Sequence, residues 1–177
     1  MFRLDRIRRG LCAGTFASAV IGSTRAAAAQ PWVTLKARPA PAVDFSDAAG
    51  KALTLGHFTG RPALVNLWAT WCAPCLAELP ALDRLQTDVG RQRLAVVALS
   101  LDRRGLLAVI ATFRRLHVQG LGIYVDPTGN AADELGATGL PVTLLITAQG
   151  ALVARRLGAI AWDAPAERLE LFRRLEL

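Results

Sequence analysis

Two cysteines, Cys72 and Cys75, have the types and spacing best suited to chemistry in this 177-residue chain. They enclose Ala73 and Pro74 in the segment WCAPC, whereas the third cysteine, Cys12, lies far from them along the sequence. In the first turn of a helix, residues at positions i and i+3 have Cβ atoms about 5 to 6 Å apart, so a small backbone adjustment brings two sulfurs within bonding distance. The segment therefore predicts a pair that alternates between dithiol and disulfide.

The two thiols are predicted to differ in role because they lie at different depths of the helix that begins at the motif. At a helix N-terminus, the macrodipole and the unpaired backbone N–H groups favour the thiolate, which is the form that attacks disulfides. We expect Cys72 to be this nucleophile, and Cys75, one turn further into the helix, to be the shielded thiol that resolves a mixed disulfide. Pro74 fits an early helical position, where no backbone hydrogen bond is lost.

Zinc binding and simple crosslinking are two other uses of a cysteine pair, and the sequence favours neither. A structural zinc site needs four Cys or His ligands at defined spacing. The chain after residue 29 offers this pair and two histidines, His57 and His117, each at least fifteen residues from the pair. A structural disulfide stabilises a fold mainly by closing a long loop, and this one would enclose two residues. We therefore expect no metal and no cofactor at the motif.

Strand and helix patterns alternate along the chain on both sides of the motif. The run PALVNLW has the length of a buried strand, and apolar residues from Ala73 to Val89 recur at helical spacing, with a kink expected at Pro80. The other predicted strands are LAVVALSL, LGIYVD, VTLLIT and ALVARRL. The other predicted helices are GLLAVIATFRRL, NAADELG and APAERLELFRRL. The segment VDFSDAAGKALTL predicts a hairpin around Ala49–Gly50. This order predicts an α/β fold with a mixed, mostly parallel sheet, helices on both faces, and the cysteines at the carboxyl end of a strand.

The segment LVNLWATWCAPCLAELPAL resembles the active-site segment of thioredoxin-fold proteins, specifically the exported TlpA/ResA-like thiol-disulfide oxidoreductases. The resemblance extends roughly from Pro41 to Leu175 and implies a thioredoxin-like, three-layer α/β fold over residues 41–177, with a mixed central sheet and an N-terminal β-hairpin. The segment LDRRGLLAVIATFRRLHVQGLGIYVD resembles the helix and strand that this branch inserts into the fold. The segment GLPVTLLI resembles the loop opposite the active site, which implies a cis peptide bond at Leu140–Pro141.

The same resemblance assigns further residues to the site. It implies that Pro141 belongs to the catalytic site, and that Leu140, Trp71, Ala73 and Pro74 contact the substrate. Thioredoxin carries a buried acid in the strand before the motif, and Asn66 stands at that position here, as is common in the exported relatives. One candidate proton carrier is thereby absent. Trp162, in the segment GAIAW, is interpreted as a packing residue.

Glu78 is a second candidate proton carrier. It follows Cys75 by three residues, as Cys75 follows Cys72, so the three side chains form a stripe in which Glu78 lies nearer to Cys75. The corresponding Glu of the ResA-like branch is regarded as part of the active site, which implies that Glu78 takes the proton of Cys75. The alternative interpretation is a solvated helix residue.

The first 29 residues differ in composition from the rest of the chain. Four arginines, Arg3, Arg6, Arg8 and Arg9, precede the apolar run LCAGTFASAVIG and the segment RAAAAQ. This order is typical of a secretory signal peptide, with cleavage expected near Ala28 or Ala29, although retention as a membrane anchor is an alternative. Residues 30–40 are predicted to be an extended lead-in to the domain over 41–177.

Charge excludes one class of partner. Residues 1–29 contain five arginines and one aspartate, so a net charge of +7 for the whole chain leaves about +3 for the remainder. The remaining arginines lie in pairs at segment ends and form no single basic cluster in the sequence, so we expect no nucleic-acid partner.

These patterns predict an exported, periplasmic enzyme that exchanges dithiols and disulfides with protein substrates. The resemblance implies that it acts as a reductant, for example in cytochrome c or copper-site maturation, and that a membrane thiol donor keeps it reduced. A copper-handling module of the same fold is an alternative, although no His or Met stands near Pro141 to complete a Cu(I) site. A peroxiredoxin is another, but its P-x-x-x-T-x-x-C pattern fails at both cysteines. Ala69 stands where the pattern requires Thr before Cys72, and Trp68 stands where it requires Pro before Cys75.

Overall fold

The structure is a computed structural model that describes residues 30–177. The predicted signal peptide over residues 1–29, with Cys12, lies outside the described residues. Within residues 30–177, no helix combines the length and the apolar character that crossing a membrane requires.

One sheet of eight strands forms the centre of the fold. Its strands are β1 (Val33–Pro39), β2 (Asp44–Asp47), β3 (Ala52–Thr54), β4 (Ala63–Trp68), β5 (Ala95–Ser100), β6 (Tyr124–Val125), β7 (Val142–Ile146) and β8 (Ala151–Leu157). They lie in the order β1-β8-β7-β4-β5-β6-β2-β3. The helices are α1 (Ala73–Val89), α2 (Gly105–Arg115), α3 (Asn130–Glu134) and α4 (Pro165–Leu175), and a 3₁₀ turn covers Leu55–Phe58.

The sheet is mixed, as predicted, but the expectation of mostly parallel pairing is wrong. Only β4 with β5 and β5 with β6 pair in parallel, whereas the other neighbouring strands are antiparallel. Parallel neighbours need a crossover connection, and α1 and α2 supply the two that join adjacent strands. The chain after α3 instead enters the sheet on the other side of β4 and runs against it.

The lead-in predicted over residues 30–40 is extended, but most of it belongs to the sheet. Residues of β1 pair with β8 from Val33 opposite Arg155 to Pro39 opposite Ala151. Trp32, just before this strand, lies beneath the guanidinium groups of Arg156 and Arg174. The segment is therefore an edge strand of the domain and not a linker.

Two apolar layers cover the two faces of the sheet. On one face, α1, α2 and α4 pack through residues such as Leu79, Phe113 and Leu171. On the other face, the β2–β3 hairpin, the 3₁₀ turn and α3 pack against alternate residues of the central strands. Every residue of β4 and β5 is buried, as expected for central strands covered on both sides. This three-layer arrangement confirms the predicted thioredoxin-like fold and holds the end of β4 in a fixed place.

Candidate active site

The cysteine pair lies where the chain leaves β4 and enters α1. Cys72 is the N-cap residue of α1, and its carbonyl oxygen accepts the hydrogen bond of Leu76 N at 3.1 Å, which closes the first helical turn. A disulfide joins Cys72 to Cys75, with the two Cα atoms 5.3 Å apart. Cys72 is 5% exposed and Cys75 is 1% exposed. The deeper position of Cys75 in the helix agrees with the spacing argument.

The surface beside the pair is open. Trp71 is 70% exposed, Ala73 is exposed as well, and Pro74 is partly buried in the first turn of α1. Trp71 and Ala73 thus lie exposed on either side of the buried Cys72.

The Leu140–Pro141 peptide bond is cis, as the resemblance implies. Pro141 is buried directly before β7, whose first residue, Val142, lies opposite Leu67 near the end of β4. Gly158 N donates a hydrogen bond of 2.8 Å to the carbonyl oxygen of Pro141, which ties this loop to the end of β8. Because β7 is antiparallel to β4, the start of β7 and the cysteine pair after β4 lie at the same end of these two central strands.

Glu78 is buried inside the domain, so its interpretation as a solvated helix residue is wrong. The residue is 3% exposed. Its Oε1 accepts hydrogen bonds from Ile160 N at 3.2 Å and from Trp162 Nε1, and its Oε2 accepts one from Asn66 Nδ2 at 3.3 Å. Three donors from two distant parts of the chain, β4 and the segment before α4, therefore converge on one carboxylate.

Burial controls the protonation of this carboxylate. Desolvation raises the pKa of Glu78 from 4.5 to about 7, while the hydrogen bonds from Trp162, Ile160 and Asn66 act in the opposite direction because they favour the charged form. The pKa therefore lies near neutrality, where a carboxyl group readily both accepts and donates a proton.

Asn66 does more than replace an acid. Its amide nitrogen also donates to Thr143 Oγ1 at 3.1 Å, and the two residues lie opposite each other in β4 and β7. Both are buried in strands that are otherwise apolar. Buried polar groups are nearly always hydrogen-bonded, so a polar residue inside such a strand is a signal for an internal partner.

The interpretation of Trp162 as a packing residue is incomplete. Its side chain is fully buried in the layer formed with α1 and α4, but its indole N–H also donates to Glu78. Buried indole N–H groups usually find an acceptor, and this tendency is visible from the sequence. The identity of that acceptor depends on the folded structure.

Asp102 is a site residue that the sequence did not reveal. It lies just beyond the carboxyl end of β5, is 2% exposed, and accepts hydrogen bonds from Thr70 N at 3.1 Å and from the Thr70 hydroxyl. Its other oxygen accepts from Arg104 N at 2.9 Å and Arg104 Nε at 3.1 Å. Burial opposes the charge, but the hydrogen bonds from Thr70 and Arg104 hold the pKa of Asp102 below its usual value. Asp102 thereby fixes the loop that leads into Cys72.

The histidines take no part in this arrangement. His57 packs edge-on against Phe58 in the 3₁₀ turn, and His117 follows α2 with a positive φ of 55°. Within residues 30–177, the structure contains no group of three or more His, Cys, Asp or Glu side chains placed to bind a metal ion.

Comparisons with known proteins agree with this geometry. The model of the AhpC/TSA family matches residues 37–155. Similar proteins include the thiol-disulfide oxidoreductase ResA of Halalkalibacterium halodurans, 27% identical over 134 residues that cover 75% of each chain. The thiol:disulfide interchange protein DsbE of Pseudomonas aeruginosa is 33% identical over 134 residues, which cover 75% of this chain and 72% of the relative.

Solved structures show the same fold. The crystal structure of a candidate thiol:disulfide interchange protein DsbE from Chlorobium tepidum has a TM-score of 0.71 and covers 81% of this chain and 99% of its own, at 23% identity. A DsbF homologue from Corynebacterium diphtheriae has a TM-score of 0.66 and covers 90% of this chain and 99% of its own, at 18% identity.

Proposed function

The chain belongs to the AhpC/TSA family and is a thioredoxin-fold thiol-disulfide oxidoreductase of the TlpA/ResA-like type, and we propose that it reduces disulfides of exported proteins through Cys72 and Cys75. One observation carries the proposal. The cysteine pair opens α1, and a buried carboxyl group, Glu78, lies one turn beyond Cys75 on the same helix.

The exchange proceeds in two attacks. The Cys72 thiolate attacks one sulfur of the substrate disulfide, which forms a mixed disulfide and releases one substrate thiolate. The Cys75 thiolate then attacks the sulfur of Cys72, which forms the Cys72–Cys75 disulfide and releases the second substrate thiolate. Two electrons pass from the protein dithiol to the substrate, and the two released thiolates take up protons.

Glu78 is the proposed acceptor of the proton that Cys75 loses. Residues three apart on a helix are neighbours on its surface, and this spacing supports a proton transfer between Cys75 and Glu78. A general base is most effective when its pKa lies near the working pH, and burial raises the pKa of Glu78 to about 7. Asn66 and Trp162 are positioning residues in this scheme, because their hydrogen bonds orient the carboxyl group.

The substrate is proposed to lie across the edge that carries the cysteines and the Pro141 loop. Trp71 and Ala73 are exposed there, with Pro74 and Leu140 partly buried beside them. The resemblance to the TlpA/ResA-like branch supports a contact between the substrate chain and Pro141.

Export and the supply of electrons complete the proposal. The arginine-rich start and short apolar run of residues 1–29 support export, and the family resemblance supports a membrane thiol donor that re-reduces the pair. Either cleavage or retention of the N-terminal segment fits this function.

The redox state of the pair in living cells tests the direction of the exchange. Cells are quenched in acid, free thiols are alkylated with a reagent that adds mass, and the protein is separated on a gel beside a Cys72→Ser, Cys75→Ser double variant. We expect Cys72 and Cys75 to be mostly reduced. A fully oxidised pair would instead identify an oxidase.

A further inference from the structure

A groove runs along the outer side of α2, next to the active-site loop. It has a volume of about 260 Å³ and is lined by Thr70, Arg104, Ala108, Ala111, Thr112 and Arg115. The two alanines leave the space between the arginines open. Beside them, Leu107 is 80% exposed on the same helix. The groove therefore combines two small apolar side chains with a cationic group near each end of α2.

The positive charge of this groove is not balanced by acids on its own helix. The residues of α2, GLLAVIATFRR, include no Asp or Glu, and arginines stand directly before the helix and at its end. Among residues 30–177, Arg103, Arg114 and Arg115 form no salt bridge, and Arg104 pairs with the buried Asp102. On α4 the situation is different, because Arg173 and Arg174 both pair with Glu170.

The groove continues into the site of the proposed reaction. Thr70 lines it, the exposed Trp71 is the next residue, and Cys72 follows. A chain whose disulfide lies over Cys72 would thus extend naturally into the groove. We propose that the groove binds an acidic segment of the disulfide-bearing protein substrate, an inference that rests on the proposed function.

The dimensions of α2 indicate the length of such a segment. A helix of eleven residues is about 16 Å long, which matches about five residues of extended chain. Carboxylates on this segment would pair with Arg115 and with the exposed part of Arg104, whose side chain is 63% exposed. Apolar side chains between them would contact Ala108, Ala111 and Leu107. The groove would therefore select among substrates by the charge next to their disulfides.

Three disulfide peptides with one common Cys-x-x-Cys loop test this selection. Their flanks carry four Glu, four Gln or four Lys residues, and reduction by the reduced protein is followed by stopped flow at low and high salt. Electrostatic attraction raises association rates by roughly 10-fold or more. At low salt we therefore expect the acidic peptide to be reduced at least about ten times faster than the basic peptide. The preference should vanish at high salt because the charges are screened.

Two variants locate the effect in the groove. Arg115→Glu and Ala111→Glu each place a carboxylate in it and should abolish or reverse the preference between the acidic and the basic peptide. The matched control is Arg93→Glu, since Arg93 is an exposed arginine before β5 that does not line the groove. It should keep the preference.

A small neutral disulfide separates this inference from the proposed function. Hydroxyethyl disulfide is too small to fill the groove, so the native protein and the Arg115→Glu, Ala111→Glu and Arg93→Glu variants should reduce it at equal rates. If the native protein reduced none of the three peptides and no hydroxyethyl disulfide, the proposed function would be rejected. Equal rates with all three peptides, at a normal rate with hydroxyethyl disulfide, would reject the groove inference alone. Rejection would also follow if Arg115→Glu lost binding to phosphatidylglycerol vesicles but kept the peptide preference, because the groove would then bind a lipid surface.

Discussion

The indole N–H of Trp162 donates a hydrogen bond to the carboxylate of Glu78, although 84 residues separate the two along the chain. The contact joins α1 to the segment before α4, and Ile160 N donates to the same oxygen at 3.2 Å. A carboxyl group held in this way keeps one orientation inside the buried layer between α1 and the segment before α4. Two opposing effects therefore set the pKa of Glu78: desolvation raises it, and the hydrogen bonds from these fixed donors lower it.

Replacing Glu78 by Gln tests its role in proton transfer. The first attack by Cys72 should keep its rate, whereas release of the mixed disulfide should slow because Cys75 loses its proton acceptor. Stopped-flow exchange with a model disulfide resolves the two steps. Release rates that match those of the native protein from pH 5 to pH 9 would contradict this role.

The same substitution should change how stability depends on pH. The pKa of Glu78 is raised from 4.5 to about 7 in the folded state, so between these pH values the folded chain holds a proton that the unfolded chain has released. The stabilisation is complete below pH 4.5 and is lost as pH rises through about 7, a change of about 3 kcal/mol. Glu78→Gln should remove this loss. Urea unfolding of the oxidised proteins at several pH values measures it.

A matched control for that experiment is Glu134→Gln, because Glu134 is exposed on α3. Its unfolding free energy should follow that of the native protein at every pH. If Glu78→Gln also follows the native curve between pH 5 and pH 8, the raised pKa of Glu78 is wrong.

Trp162→Phe removes one donor to the carboxylate while keeping an aromatic ring in the core. Loss of a hydrogen bond to the charged form should raise the pKa of Glu78 further. The pH profile for release of the mixed disulfide should therefore move to higher pH, and the protein should lose stability because the smaller ring leaves a cavity. A loss of stability with an unchanged pH profile would leave Trp162 with a packing role alone.

Much of the fold could be predicted from local pattern. The bounds of α1 were predicted correctly from the spacing of apolar residues, and the strand before the motif and the hairpin around Ala49–Gly50 also formed. Strand β1 was not predicted because most of its residues are exposed and show no apolar alternation. Its partner is the backbone of β8, more than a hundred residues away along the chain. Whether two strands pair in parallel also depends on residues far apart in the chain. The spacing of apolar residues gives no information about that pairing, so the mostly parallel sheet was wrongly expected.

The site divides in the same way. Cys72 and Cys75 could be found because their spacing lies within one helical turn. The partners of Glu78 could not be identified, since Ile160 and Trp162 are 82 and 84 residues away. Asp102 follows a buried strand, but only the fold brings it to Thr70, 32 residues earlier.

Asp102→Asn should disturb the loop before Cys72. The carboxylate accepts from Thr70 and Arg104, so an amide would direct its own N–H groups at donors. Leaving the donors of the Thr70 loop without their charged acceptor costs about 1 to 3 kcal/mol, and we expect a loss of that order at pH 7. Because the pKa of Asp102 is lowered on folding, its contribution is present at neutral pH and declines in acid, so the difference from the native protein should shrink as pH falls.

The matched control is Asp163→Asn, which removes an exposed ion pair with Arg84. Solvent screens exposed pairs, so this variant should unfold almost as the native protein does. Chemical denaturation at pH 7 and pH 4 measures both variants. Equal, small effects of the two substitutions would show that Asp102 does not fix the loop.

The order of attack by the two cysteines is tested by trapping. Cys75→Ser should accumulate a mixed disulfide between Cys72 and its substrate, because the thiolate that resolves it is missing. Cys72→Ser should not, since Cys75 is 1% exposed and a substrate disulfide has little access to its sulfur. Mass spectrometry after incubation with a disulfide peptide counts the trapped species. Equal trapping by the two variants would reverse or equalise the roles assigned to Cys72 and Cys75.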